Sequence, residues 1–115
     1  MLDTLCRRIV TALEDLKAED VRVFDVRKLT DVADTIVLAG GSSSRKMRAM
    51  VERVTQAARD CGVRCLGVEG QDYGEWVLVD LGDAIVHLMS PSARAYYQLE
   101  KLWMAPEHPV TTALR

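Results

Sequence analysis

The sequence predicts a single α/β domain, with a mixed five-stranded sheet and about three helices. Segments with apolar residues at helical spacing alternate with short segments rich in β-branched residues. One strand–helix–strand unit within this order predicts a parallel crossover. The 115 residues suffice for one hydrophobic core and not for two. Residues 1–104 form the predicted domain, and residues 105–115, with two prolines, are predicted to be a flexible C-terminal tail.

The N-terminal half contains two predicted helices and two predicted strands. Apolar residues at spacings of three and four place a first helix from about Asp3 to Ala18. Strands follow at residues 21–26 and 34–39, and the second is more continuously apolar and so more deeply buried. After Gly40-Gly41 a serine among residues 42–44 is expected to cap a second helix. Gly62 is expected to end that helix in a left-handed conformation.

The C-terminal half is predicted to complete the sheet. Strands are expected at residues 63–68, 75–79 and 84–89, the last two joined by a short hairpin connection. Ser90-Pro91 is typical of a helix start and predicts a third helix, which carries Tyr96, Leu99, Leu102 and Trp103. Three helices are few for five strands, so part of one sheet face is expected to need a partner.

Composition and charge exclude several classes of protein. A formal charge of −2 and a pI of about 5.6 argue against a domain held mainly by nucleic-acid phosphates. No segment approaches the roughly 20 apolar residues that span a bilayer, so a cytoplasmic protein without membrane contact is expected. The three cysteines form no zinc-binding pattern with histidine, so we expect reduced thiols, no metal and no cofactor.

The segment from Cys65 to Ala93 contains five carboxylates and no lysine or arginine. A solvated hairpin edge is one explanation. However, period two places Trp76, Leu78 and Asp80 on one strand face, and both faces of the hairpin are mostly apolar. One face can fill the core, and the other would form an apolar patch with an acidic rim, which suits a basic protein partner. His87 fits a hydrogen-bonded core residue, an interface contact or a catalytic or metal-binding group.

Several motifs follow one another in the order of a known family. They are Gly40-Gly41-Ser42-Ser43-Ser44-Arg45, Gly67-Val68-Glu69-Gly70, Trp76-Val77-Leu78-Val79-Asp80-Leu81-Gly82-Asp83, Ile85-Val86-His87, Arg94, Tyr97, Leu99-Glu100 and Leu102-Trp103. Over residues 1–104 the chain resembles the ribosomal silencing factor family, also called Iojap-related. It departs from common members at Thr35, Leu81 and Met89, where aromatic residues are frequent.

The resemblance implies an α/β fold related to nucleotidyltransferases, without their chemistry and without a cofactor. It implies a translational repressor that binds protein fourteen of the large ribosomal subunit and sterically blocks association with the small subunit when nutrients are limiting. It also implies a homodimer when the protein is free. Carried over position by position, the implied partner-binding residues are Glu69, Trp76, Asp80, Gly82, Asp83, His87, Tyr97, Glu100 and Trp103.

Two other functions compete with this interpretation. A nucleotidyltransferase could hold a phosphate at Gly40-Gly41-Ser42, but two-metal chemistry needs a close carboxylate pair, and the third predicted strand has none. Direct RNA binding would use the cations of the second helix. These do not all share one face, the aromatic residues that would stack on bases lie elsewhere, and a solvated outer helix face explains them as well. Auxiliary contacts to ribosomal RNA stay open. The cations concerned are Arg45, Lys46, Arg48, Arg53 and Arg59.

Overall fold

Helices and strands follow one another much as the sequence pattern predicts. The computed structural model describes residues 3–72 and 74–98 and the backbone of residues 107–108. Its helices are α1 (Thr4–Asp15), α2 (Ser44–Asp60) and α3 (Pro91–Tyr97). Its strands are β1 (Glu19–Asp25), β2 (Thr35–Gly40), β3 (Gly67–Glu69), β4 (Trp76–Asp80), β5 (Ala84–Met89) and β6 (Glu107–His108).

The strands form one mixed sheet in the order β3-β4-β5-β2-β1-β6. The β2–β5 pair is parallel, and the other neighbours are antiparallel. β3 therefore runs parallel to β2 but lies at the edge, beyond β4 and β5, so the predicted parallel crossover around α2 is confirmed. The mixed sheet of five strands and the three helices are confirmed as well. The sixth strand, only two residues long, pairs with β1 and falls within the predicted tail.

Side chains and one glycine set the helix ends as the sequence predicts. The Lys46 amide donates to Ser43 Oγ at 3.1 Å, so Ser43 is the predicted cap of α2. Gly62 ends this helix with φ +74°, and the Val63 amide donates to the Ala58 carbonyl. Ser90 caps α3 through the Ala93 amide.

Within the described residues, no helix has both the length and the apolar character needed to cross a bilayer.

Several predicted boundaries differ from the structure: those of β1, β2 and β4 by one or two residues, and those of α1, β3 and α3 by more. α1 ends at Asp15 and not at Ala18, because Lys17 adopts a left-handed conformation with φ +58°. β3 begins at Gly67 and not at residue 63, since the chain after Gly62 is still bonded to the end of α2. α3 ends at Tyr97, because Gln98 adopts a left-handed conformation with φ +48°, whereas the sequence predicted a helix that also carries Leu99, Leu102 and Trp103. Those three positions lie outside the described residues.

The sheet separates two apolar cores. On one face α1 and α2 cover a large core that includes Val77 and Val79 of β4. On the other face a smaller core contains Ile85 and Met89, with Trp76 and Leu78 half-buried against it. The alternation predicted for β4 and β5 is therefore confirmed. Other members of the smaller core are Phe24, Val26, Ala33, Ile36, Leu38 and Ala93.

Candidate functional site

The register of the sheet brings four of the predicted contact residues to the face opposite α1 and α2. Glu69 pairs with Leu78, which pairs in turn with His87 on β5. Trp76 and Asp80 lie two residues on either side of Leu78 and so project to the same face. Since strand residues advance about 3.3 Å each, the Trp76 and Asp80 positions are roughly 13 Å apart. The candidate site therefore extends along the whole of β4.

His87 holds Trp76 in place from within the core. The indole Nε1–H donates to His87 Nδ1 at 2.9 Å, and the two ring centroids are 5.8 Å apart. His87 is only 7% exposed, and its burial lowers the pKa from 6.5 to about 4. The imidazole is therefore neutral at neutral pH, as an acceptor at Nδ1 must be. Of the three interpretations that the sequence left open for His87, the structure supports the hydrogen-bonded core residue.

An aromatic cluster lies where α3 meets β4. The ring centroids of Trp76 and Tyr97 are 4.8 Å apart, and Tyr96 meets Tyr97 edge-on at 5.0 Å. Tyr97 is 49% exposed and Tyr96 is 81% exposed, although Tyr96 was expected among the apolar positions of its helix. Exposed tyrosines beside a half-buried tryptophan have the composition of an interface anchor.

The β4–β5 turn lies at the opposite end of the site. Asp80 Oδ1 accepts a hydrogen bond from the Gly82 amide at 2.9 Å, and Gly82 has φ +85°, which favours glycine. Asp80 and Gly82 thus shape the turn, while the exposed Asp83 side chain is presented to solvent. The Asp83 carbonyl accepts hydrogen bonds from the Asp34 and Thr35 amides at 2.8 and 3.0 Å. The turn is therefore fixed to the start of β2.

The remaining predicted residues lie apart from these two groups or outside the described chain. Glu69 is exposed on β3, the edge strand next to β4. Glu100 and Trp103 lie outside the described residues. The structure thus places Trp76, His87 and Tyr97 together, and the Asp80–Asp83 turn at the other end of β4.

The sequence interpretation did not identify an apolar loop beside the turn. Leu29 is 56% exposed and Val32 is 72% exposed, both in the connection between β1 and β2. The Asp34–Asp83 bond places this loop next to the β4–β5 turn. The available signal was two large apolar residues in a polar connection, outside any strand alternation.

Packing explains the glycine turn before α2. A Cβ built at Gly41 would lie 2.5 Å from Met50 Cε and 2.8 Å from Met47 Sδ, so a larger residue there would require these buried methionine side chains to move. Among the residues that the structure describes, no three histidine, cysteine or acidic side chains are grouped as metal ligands. Packing against these methionines is therefore one structural reason for a glycine in the turn that the nucleotidyltransferase hypothesis would use for phosphate.

Comparison with known proteins identifies the family. The family model described as "Ribosomal silencing factor during starvation" matches residues 2–114. Ribosomal silencing factor RsfS of Chromobacterium violaceum is 39% identical over 102 residues, which cover 89% of this chain and 84% of that protein. RsfS of Haemophilus influenzae is 40% identical over 95 residues, covering 83% and 93%. A crystal structure of a Chromobacterium violaceum protein matches with a TM-score of 0.84 and 36% identity, covering 94% of this chain and 92% of that one. The chain therefore belongs to the ribosomal silencing factor family.

Proposed function

We propose that this protein binds protein fourteen of the large ribosomal subunit and sterically prevents association with the small subunit. Translation would then fall when nutrients are limiting. The observation that carries this proposal is the sheet face on which His87 holds a half-buried Trp76 beside exposed tyrosines and carboxylates. Membership of a family named for silencing ribosomes supplies the target.

The two kinds of residue on this face have different roles in the proposed docking. Trp76 and Tyr97 offer rigid aromatic area, which is the main source of affinity in most protein interfaces. Glu69 and Asp83 are exposed carboxylates in a segment without lysine or arginine. They would attract and orient a basic partner and would contribute less to the final affinity. His87 is buried, so it acts by positioning Trp76.

The proposed mechanism needs only the volume of the bound protein and involves no chemical step. A domain with principal extents of 31 × 31 × 28 Å, seated where two subunits meet, is large enough to keep their surfaces apart. We therefore propose a non-enzymatic repressor that acts in the cytoplasm and forms a homodimer when free. Auxiliary contacts to ribosomal RNA would come from the cations of α2, such as Arg45 and Arg48, which are exposed on the other side of the sheet.

Replacement of Trp76 tests the proposal. Trp76→Ala removes the anchor and should weaken binding to isolated large subunits by about 2 kcal/mol, roughly thirtyfold. Trp76→Phe keeps an aromatic ring but lacks the N–H that donates to His87, so its affinity should fall between those of the wild type and Trp76→Ala. Co-sedimentation with large subunits, small subunits and joined ribosomes would measure both variants, with thermal unfolding as a check of folding.

Each result of this experiment bears on a different part of the proposal. Wild-type binding to the large subunit alone, weakened in Trp76→Ala, supports both the function and the site. Full binding by a folded Trp76→Ala variant would move the contact surface elsewhere. If the wild-type protein bound no ribosomal particle, or bound without reducing subunit joining, the proposed function would be wrong.

A further inference from the structure

The exposed apolar residues are distributed unevenly over the molecule. Among the described residues, none of the large apolar side chains with high exposure belongs to α1 or α2. All of them lie in α3, before β3 or in the β1–β2 connection: Leu29, Val32, Leu66, Tyr96 and Tyr97. Exposed apolar side chains are unfavourable in water unless a partner covers them. This distribution therefore indicates an interaction surface on the part of the molecule that includes the β1–β2 connection.

The β1–β2 loop (residues 26–34) holds its exposed apolar side chains on a fixed backbone. Val26 is fully buried and Ala33 is 5% exposed, and both pack in the smaller core. The Leu29 and Thr30 amides donate to the Val26 carbonyl at 2.9 and 3.1 Å. The Val32 amide donates to Thr30 Oγ1 at 3.1 Å. A loop ordered in this way loses little entropy on binding, so the contacts of its apolar side chains would count nearly in full.

This loop is continuous with the acidic end of the docking face. The Asp34 amide lies 2.8 Å from the Asp83 carbonyl oxygen, which joins the loop to the β4–β5 turn. On the far side of the turn, the Leu66 amide donates to the Asp80 carbonyl, and the exposed Leu66 side chain lies beside Gly82. The β4–β5 turn is therefore bonded on one side to the loop that carries Leu29 and Val32, and on the other to the segment that carries Leu66.

The charges around the loop favour a basic partner. Arg27 is held by Asp25, with Nη2 2.6 Å from Oδ2, so this cation is largely neutralised. Lys28 is then opposed by exposed carboxylates at Asp31, Asp34 and Asp83. An apolar surface with a net acidic surround is complementary to a cationic protein surface with an apolar depression.

We infer that the β1–β2 loop is a second docking element, and that Val32 and Leu29 insert into the same basic protein partner that Trp76 contacts. The inference rests on the proposed function and extends it. The partner would contact the aromatic cluster at one end of β4 and the loop at the other, with Asp83 between them. Two separated apolar anchors fix the orientation of a docked domain more firmly than one. A steric mechanism needs such a fixed orientation, because the bound protein must stay in the way of the second subunit.

Serine at both loop positions provides the test. Leu29→Ser combined with Val32→Ser removes two exposed apolar side chains and keeps the buried anchors Val26 and Ala33. We expect affinity for isolated large subunits to fall at least tenfold, because each apolar side chain buried in an interface contributes about that factor. The control Leu29→Met keeps an apolar side chain of similar volume and should lose much less affinity than the double serine variant. Trp76→Ala is measured in parallel, and thermal unfolding confirms that each variant is folded.

The outcomes separate this inference from the proposed function. At least a tenfold loss in the double serine variant, with a much smaller change in Leu29→Met, supports the second docking element. Unchanged affinity in the double variant, with binding weakened by Trp76→Ala, overturns the loop contact and leaves the proposed function intact. Unchanged affinity together with loss of the free homodimer would also overturn it, because the loop would then serve self-association. Failure of the wild type to bind large subunits would overturn both.

Discussion

At the scale of single residues, the Trp76–His87 pair connects the core to the exposed face. His87 Nδ1 accepts the indole proton, and only an unprotonated Nδ1 can do so. Burial lowers the pKa of His87 to about 4, which keeps the acceptor available at neutral and mildly acidic pH. The hydrogen bond that orients Trp76 is therefore retained over this range, which the proposed role of Trp76 as a preformed anchor requires.

The same pKa predicts how stability depends on pH. The unfolded chain takes up a proton at His87 near pH 6.5, whereas the folded protein does so only near pH 4. Stability linked to His87 is therefore complete above about pH 6.5 and declines as the pH falls towards 4. The decline should approach about 3 kcal/mol in the free energy of unfolding. Urea denaturation at a series of pH values would measure it.

Two histidine variants control this experiment. His87→Gln removes the titrating group, so its free energy of unfolding should fall less steeply between pH 6.5 and 4 than that of the wild type. His108→Gln, which removes the only other histidine of the sequence, should keep the wild-type slope. Identical slopes in the wild type and His87→Gln would mean that His87 is not the group responsible.

Individual site residues differ in how far the sequence predicts them. Family motifs pointed to Trp76 and Tyr97, and the structure brings their rings together. The role of Asp80 in shaping the turn depends on a bond to Gly82 that no residue pattern specifies. The loop that carries Val32 was not identified, because its place next to the β4–β5 turn follows from a bond between Asp34 and Asp83, which are about 50 residues apart. Sequence patterns record local spacing, and such long-range contacts appear only in the fold.

At the scale of helices and strands, the predictions succeed where local chemistry decides. Ser43 and Ser90 cap their helices through amides three residues later, and Gly62 ends α2, all within a single turn of chain. The start of β3 was wrong because pairing with β4 decides it, and the ladder with β4 begins at Gly67. Strand ends depend on the partner strand, which lies far away in sequence.

Gly70, in the connection from β3 to β4, provides a prediction at this scale. Its φ is +87°, and a Cβ there would collide with the Trp76 carbonyl oxygen. Gly70→Ala should therefore lower the free energy of unfolding by about 3 kcal/mol or more, since backbone strain and a clash with main chain add together. Chemical denaturation of the purified variant would give the value.

Gly62→Ala is the matched control for this substitution. Gly62 also has a positive φ, of +74°, but a Cβ there would meet no atom within 4 Å. Its alanine variant should lose only about 1 kcal/mol, the cost of the left-handed conformation alone. Equal losses in the two variants would show that the contact between Gly70 and Trp76 adds nothing.

At the scale of the whole molecule, the sheet separates surfaces of different character. The side covered by α1 and α2 exposes polar residues and arginines such as Arg7, Arg8 and Arg53. The other side carries the aromatic cluster, the acidic turn and the apolar loop. The uneven charge was predictable from the run without cations between residues 65 and 93. Which strand side chains of this run lie opposite the helices depends on which sheet face α1 and α2 cover, and only the fold shows that.

This asymmetry predicts that the position of a charge change matters more than its size. Glu69→Lys with Asp83→Lys reverses two exposed carboxylates on the proposed docking face, the sheet face of Trp76, without removing the Asp80–Gly82 bond. Association with large subunits should slow by about tenfold at low salt, because steering of a basic partner is lost. The difference from the wild type should shrink between about 0.05 and 0.5 M salt as screening increases. Stopped-flow or surface-based kinetics would measure the association rates.

The control variant carries the same change of net charge on the opposite side of the sheet. Glu52→Lys with Asp60→Lys reverses two exposed carboxylates of α2. If the acidic face steers the partner, this variant should associate at close to the wild-type rate. If the helix side contacts ribosomal RNA, association should be faster, because the added lysines attract phosphates. Slowing of the Glu69–Asp83 variant alone would locate the steering charges on the face of Trp76. Equal slowing of both variants would mean that only net charge matters, and the acidic residues of the docking face would then serve solubility.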